Sequence, residues 1–234
     1  MKSLLRIGIL IVLVVGLIVF ADNNLLKAET VISDYTGESI LYRIKPFGES
    51  EYKDLGVVDL EGRKLNLIIF KTKVLFVRDT EKIYSDPESL LPYRIERNIS
   101  KLLGKEYIIE EYDQKKFTVV TRKFKGKKLI SEQVVQANGP IHNAITLPFY
   151  LRRRPDLAIG WHFTARVPLE FELELASIDK IKVPAGRFEA YHFKSMPDKF
   201  EIWISKDVPR IPLKIKGKGS FNYTLLMKQY SSRK

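Results

Sequence analysis

Three histidines, His142, His162 and His192, are the residues most able to do chemistry in this 234-residue chain. A zinc site needs three or four such ligands converging on one point. Here no His-x-x-x-His or His-Glu-x-x-His pairing offers a local chelate, so no metal site is expected. His192 falls in an alternating stretch, Phe188 to Phe193, and reads as a strand-face residue; His162 follows Trp161 and reads as a surface residue. Glu170, Glu172 and Glu174 alternate with apolar residues, which on a strand sets successive carboxylates about 7 Å apart. That separation lies within the roughly 6.5–9.5 Å of an inverting glycosidase pair. An acidic alternation is equally the solvated face of a half-buried strand, and the chain's 40 basic residues supply partners for it. Ser131, Ser177 and Ser205 lack the Gly-x-Ser-x-Gly setting of a strained nucleophile. Gly217-Lys218-Gly219 lacks the spacing of a phosphate loop. No catalytic constellation and no cofactor site is legible.

A second group of residues suits binding rather than catalysis. Ile145, Phe149, Tyr150, Trp161, Phe193, Trp203 and Tyr223 can line an apolar cavity inside a curved sheet, or fill its core. Arg152-Arg153-Arg154 form the densest basic run and are the candidate contact for an anionic partner.

The chain carries a formal net charge of +12 and no cysteine. It opens with Lys2 and Arg6 and then runs through apolar residues and glycine from Ile7 to Ala21. As a helix this stretch spans about 22 Å, short of the ~30 Å hydrocarbon core. Residues 1–21 therefore read as a secretory signal cleaved after Ala21, with an uncleaved N-terminal anchor as the alternative. An exported chain without cysteine fits a bacterial periplasm or envelope better than a disulfide-built secreted scaffold. Its basic charge then points to anionic headgroups, cell-wall polymers or an envelope protein rather than to nucleic acid.

The elements that must position these residues are strands. Leu169 to Leu175 alternates strictly between apolar and acidic residues, the pattern of a sheet with one face in a core. Residues 22–36 read as a loose lead-in, and 37–231 as one β-rich domain. Within it, Ile40 to Ile44, Tyr52 to Val77, the strand after Pro92, Glu106 to Tyr112, Phe117 to Phe124 and Leu129 to Gln136 form a meander with short turns. Gly48, Glu61-Gly62, Asp113-Gln114-Lys115 and Lys125-Gly126-Lys127 mark those turns. The apolar runs Leu65 to Phe70 and Val74 to Val77 read as strands covered on both faces. One interruption, near 140–152, reads as a short or kinked helix. Asn138 stands near its N-cap, Pro140 in its first turn, and Pro148 is placed to kink or end it.

Four pieces in fixed order carry a resemblance. They are Asp86-Pro87-Glu88-Ser89-Leu90-Leu91-Pro92, Phe149-Tyr150-Leu151-Arg152, Val183-Pro184-Ala185-Gly186-Arg187-Phe188-Glu189-Ala190, and Ile202-Trp203-Ile204-Ser205-Lys206-Asp207 followed by Arg210-Ile211-Pro212. Together they resemble an exported bacterial family, domain of unknown function 3108. Pro148 departs from the uninterrupted helix of the family pattern. The resemblance implies export and a β-rich curved or barrel-like fold, and it implies no catalytic residues. A looser architectural likeness is to the half-barrels that carry lipoproteins across the periplasm. The expectation is thus an all-β, mainly antiparallel half-barrel or open barrel that holds an apolar or lipid-like ligand. The alternative is an interaction protein docking an envelope partner through its basic face, and a glycan hydrolase stands a distant third.

Overall fold

The computed structural model describes residues 35–218 and 222–232. The expected leader and most of the lead-in lie outside the described residues. Eight strands come first: β1 (Ser39–Lys45), β2 (Glu49–Leu60), β3 (Arg63–Val74), β4 (Val77–Ser85), β5 (Pro92–Lys101), β6 (Gly104–Asp113), β7 (Thr118–Lys125) and β8 (Lys128–Gln136). A helix, α1 (Leu147–Leu151), precedes six more: β9 (His162–Val167), β10 (Leu169–Val183), β11 (Gly186–Met196), β12 (Phe200–Ser205), β13 (Pro212–Gly217) and β14 (Tyr223–Ser231).

All fourteen strands belong to one antiparallel sheet, ordered β8-β7-β6-β5-β4-β3-β2-β1-β14-β13-β12-β11-β10-β9. It is two meanders joined where the first strand pairs the last, Ile44 opposite Leu225. β8 and β9 are free edges, so the sheet is not closed into a barrel. It does curl. The turn between β10 and β11 reaches back to β14, where the Ala185 N–H donates to the Met227 carbonyl at 3.2 Å. Among the described residues no helix is long and apolar enough to cross a membrane.

The expected turns form for local reasons. At Glu61-Gly62 both residues hold positive φ, 56° and 79°, as a hairpin turn matching strand twist requires. The Asp59 carboxylate accepts the Gly62 N–H at 3.0 Å. Val74 to Val77, expected as a covered strand, is instead the β3–β4 turn, with Leu75 and Phe76 in solvent. The run is apolar, but Leu75 sits at φ 50°, which breaks the strand. In β3, Ile68 is buried while Leu67 and Ile69 on the other face are half-buried.

The connection 137–161 crosses one face of the sheet, from the β8 edge to the β9 edge. Its helix is shorter than expected and starts later. Asn138 and Pro140 do not begin it; the Asn143 carboxamide oxygen accepts the N–H groups of Ile145 (2.8 Å) and Thr146 (3.2 Å), and one turn of helix follows. Pro148 occupies the first turn rather than ending the helix, because its missing N–H has no partner to lose there. Gln114 staples the connection to the sheet. Its amide nitrogen donates to the Pro92 and Ile141 carbonyls, and its oxygen accepts the Ile141 N–H.

Two apolar clusters result. One gathers Ile40, Tyr42, Tyr52, Ile68, Ile83, Ile95 and Phe149 around the β1–β5 wing. The other gathers Leu147, Leu151, Leu173, Leu175, Phe193 and Ile202 around the β9–β12 wing.

Candidate functional site

Strand register decides which side chains share the face beneath the connection. Ser50, Thr72 and Asp79 lie in one row across β2, β3 and β4. Phe70, Glu81 and Arg97 lie in the next row across β3, β4 and β5. Their neighbours on the same strands, Ile68, Ile83 and Ile95, are buried core, so this row leaves charged groups facing an apolar interior.

These rows border a cavity of about 730 Å³. Its apolar wall includes Tyr42, Ile44, Phe70, Val74, Ile145, Phe149, Ile215 and Leu225. Arg97 on β5 and Ile215 on β13 both line it, although six strand spacings separate them in the sheet. On a flat sheet that is roughly 28 Å, so the shared cavity measures how strongly the sheet curls. Lys45, Pro46, Phe47, Asn222 and Tyr223 stand at the β1–β2 and β13–β14 turns and place the mouth at that end of the strands. A smaller cavity of about 420 Å³ adjoins it, with Ala144, Ile215 and Tyr223 common to both. A Cβ on Gly217 would come within 2.2 Å of the Tyr223 ring; only glycine lets that ring lie against β13 between the two spaces.

One side of the large cavity is charged. The Arg97 guanidinium donates to Asp79 Oδ2, from Nε at 2.8 Å and also from an NH2 group. Arg97 Nε lies 3.4 Å from Glu81 Oε1. Burial pushes the Glu81 carboxyl up to about 7; Arg97 opposes the rise, while Asp79 and Glu110 add to it. Two carboxylates thus face one guanidinium. Asp79 Oδ1 is buried without a hydrogen-bond partner among the described residues.

Of the seven expected cavity residues, Ile145, Phe149 and Tyr223 line this space. Phe149 lies flat on Tyr52, centroids 3.8 Å apart and 9° from parallel. Tyr150, Trp161 and Phe193 pack elsewhere, into the β9–β12 cluster; Trp161 stacks on Phe163 at 5.8 Å and meets Phe193 edge-on at 6.1 Å. Trp203 stacks on His192 at 4.1 Å with Lys214 Nζ 3.8 Å from its ring. Asp79, Glu81 and Arg97 were not singled out by sequence. Their signal was the placement of Arg97 in step with Tyr93 and Ile95, an apolar strand face.

The arginine run does not form an anion-binding patch. Arg152 is sealed in the interior, its two terminal nitrogens donating to the two Glu38 oxygens at 2.7 and 2.6 Å. Both side chains are 1% exposed, and Tyr35 lies 3.5 Å beneath the guanidinium. Arg153 donates to the carbonyls of Pro87 and Glu88, and Arg154 to Asp156. Helix α1 turns Arg152 inward with Phe149, one turn apart, so Arg152 serves packing while Arg154 stays in a surface pair.

The histidines and carboxylates weighed for chemistry also find structural partners. His142 accepts the Arg166 N–H at 3.3 Å, and burial with the nearby Arg166 charge holds it down to about 4. His162 is exposed at the start of β9. Glu170 pairs with Arg166 at 2.9 Å, and Glu172 accepts the Thr164 hydroxyl at 2.6 Å. His192 has the makings of a serine–histidine–acid set: Ser177 Oγ lies 3.3 Å from Nδ1, and Glu201 lies 2.8 Å from Nε2. The Ser177 hydroxyl, however, donates to Asp179 at 2.8 Å, and the other Asp179 oxygen lies 3.0 Å from Nδ1. The serine proton is thus given to Asp179 and not to the imidazole, so the set lacks the serine-to-histidine hydrogen bond that activates a nucleophile. Among the described residues no three His, Asp or Glu groups gather as a metal site.

Comparison with curated proteins and with solved structures finds no match. The sequence profile of a family described as protein of unknown function (DUF3108) matches residues 53–228, from β2 to β14. That span covers most of the chain, including thirteen of the nineteen residues that line the cavity, and the protein belongs to the DUF3108 family.

Proposed function

We propose that this protein is a non-catalytic binding module of the bacterial envelope, holding an aliphatic, lipid-like molecule in the cavity between its two wings. The observation that carries this reading is the 730 Å³ space itself. Its volume falls within the roughly 300–1,000 Å³ of small-molecule sites, and apolar walls with a few convergent polar groups are what such sites use. The polar side selects the ligand's other end. Asp79 Oδ1 is buried there without a hydrogen-bond partner among the described residues, so a ligand end that donates a hydrogen bond is favoured over a carboxylate, which can only accept. The ligand class is therefore a long alkyl body ending in an alcohol, amide or amine. Export rests on the basic and apolar leader and the absence of cysteine.

The test is displacement of an apolar fluorescent probe by three twelve-carbon chains, dodecanol, dodecylamine and dodecanoate. Displacement by the alcohol and the amine ahead of the carboxylate is expected. Failure of every chain to bind would remove the cavity reading. Preference for dodecanoate would remove only the assignment of the polar end.

A further inference from the structure

Among the hairpin tips of β1–β6, exposed hydrophobic side chains gather at one edge. Three neighbouring hairpins turn at one edge: β1–β2 at Phe47, β3–β4 at Leu75 and Phe76, and β5–β6 at Leu102 and Leu103. Register fixes them at the same edge, with Arg43 opposite Glu49, Val74 opposite Val77, Arg78 opposite Ser100 and Lys101 opposite Gly104. These five apolar side chains range from 62% exposed at Phe47 to 93% at Leu103. Consecutive tips are two strand spacings apart, so the row is about 20 Å long. On the other wing, Leu169 and Met196 project from the same edge, also mostly exposed.

The same six strands turn at the opposite edge through Glu61-Gly62 and Asp86-Pro87-Glu88-Ser89, and β6–β7 turns through Gln114-Lys115-Lys116. The apolar residues of those turns, Leu90, Leu91 and Phe117, are buried or half-buried, so none stands in solvent as the tips at the first edge do. An apolar doublet at a two-residue hairpin tip gains nothing for the fold, and two adjacent hairpins carry one. Contiguous exposed apolar surface of this kind marks an interaction site.

What surrounds the tips identifies the partner. Lys45, Lys73, Arg78, Lys101 and Lys105 flank them and are exposed. Of the nearby acids, Glu49 is taken by Lys228 at 2.8 Å and Glu106 by Lys101 at 3.0 Å. The next hairpin adds Lys125, Lys127 and Lys128. Apolar tips that enter an acyl boundary, with lysines at headgroup height beside them, match an anionic lipid surface in both depth and charge. The edge is also continuous with the cavity. Phe47 both stands in the tip row and lines the mouth, alongside Lys45 and Tyr223.

The geometry points to this edge as a docking surface for an anionic bilayer, with Phe47, Leu75, Phe76, Leu102 and Leu103 inserted at the interface and the cavity mouth facing the lipid. The surface goes beyond the ligand-binding reading, and its test reads insertion whether or not the cavity is filled.

The chain has no cysteine, so one can be placed at will. Leu103→Cys and Val208→Cys in the full chain each take an environment-sensitive nitrobenzoxadiazole label. Val208 is the matched control, apolar and 82% exposed, but in the β12–β13 turn at the opposite edge. With vesicles containing phosphatidylglycerol, the label at 103 should shift to the blue and be quenched by nitroxide lipids, while the label at 208 stays unchanged. Half-saturation should need at least about tenfold more lipid when the vesicles are phosphatidylcholine alone. Because both variants carry the same N-terminal apolar stretch, anchoring through it cannot produce the difference. No response at 103, or an equal one at 208, overturns the inference. So does a blue shift at 103 without vesicles that grows with protein concentration, which assigns the edge to a second copy of the chain.

Discussion

Two arginines on the sheet's covered face meet carboxylates in opposite ways. Arg152 has one partner, Glu38, and both of its terminal nitrogens are matched to both oxygens in a compartment lidded by Tyr35 and Phe149. Arg97 has two, Asp79 and Glu81, and its side chain is 38% exposed. In the first region charge is balanced and water is excluded, so the pair acts as a piece of core. In the second a surplus carboxylate is held beside an apolar cavity, where burial raises its proton affinity. A buried ion pair is no evidence of function, since breaking it is costly whatever its purpose. An unbalanced group in a cavity wall is what the proposed ligand would meet, and that difference separates a packed pair from the proposed site.

The largest effect should come from unbalancing the balanced region. Arg152→Met leaves the Glu38 carboxylate buried and unpaired, and urea denaturation should show a loss of about 3–5 kcal/mol. Adding Glu38→Met should restore much of it, because two apolar side chains then replace the pair. If the double variant is as unstable as the single one, the pair is more than packing.

Phe149 spans both regions, stacked on Tyr52 and lining the cavity. Phe149→Ala should cost about 3 kcal/mol, the low end for a core phenylalanine, because its cavity side has fewer contacts to lose. The same variant should take up a bulkier probe than the wild type.

Glu81 offers a pH test with a definite sign. Its folded proton affinity lies near 7, above an ordinary 4.5, so the folded state holds a proton that the unfolded state releases between those values. Its contribution is therefore most favourable below about 4.5 and declines as pH rises toward 7. Asp79 and Glu110 reinforce the shift and Arg97 opposes it. Glu81→Gln should match the wild type at low pH and exceed it at pH 8 by something on the order of 2 kcal/mol. A constant difference across the range would mean that Glu81 is not held in its proton-bound form.

A third arginine sets the lower limit. Arg122 also meets two carboxylates, Glu111 and Glu132, but on the solvated β6–β8 surface. Arg122→Ala should leave the denaturation midpoint unchanged within error, as exposed pairs usually do.

Much of the fold was readable, because alternation over Leu169 to Leu175 or Tyr93 to Arg97 reports directly on a half-buried strand. The family pieces were also informative, for reasons visible only in three dimensions. Asp86 ties its own turn through the N–H groups of Glu88 and Ser89, and Arg153 and Thr146 of the covering connection bond that turn's carbonyls. Ser205 ties the β12–β13 turn by accepting the Ile211 N–H and donating to Asp207. What the sequence could not convey was partnership at a distance. Arg152 looked like one of three surface cations because Glu38 lies 114 residues earlier. Asp79 and Glu81 sit in a strand with charge on both faces, Arg78-Asp79-Thr80-Glu81-Lys82, where period alone cannot say which face is covered. Leu75-Phe76 misled for the opposite reason, since apolar residues at a turn are read as strand when composition is the only guide.

If the space between the wings binds a ligand, filling it must abolish uptake. Titration of an apolar fluorescent probe into the wild type and into Ile145→Trp, whose larger side chain fills the cavity from the covering connection, tests it most directly. One equivalent bound by the wild type and none by a folded Ile145→Trp variant is the predicted result. Equal binding by both proteins, or none by the wild type, would contradict it.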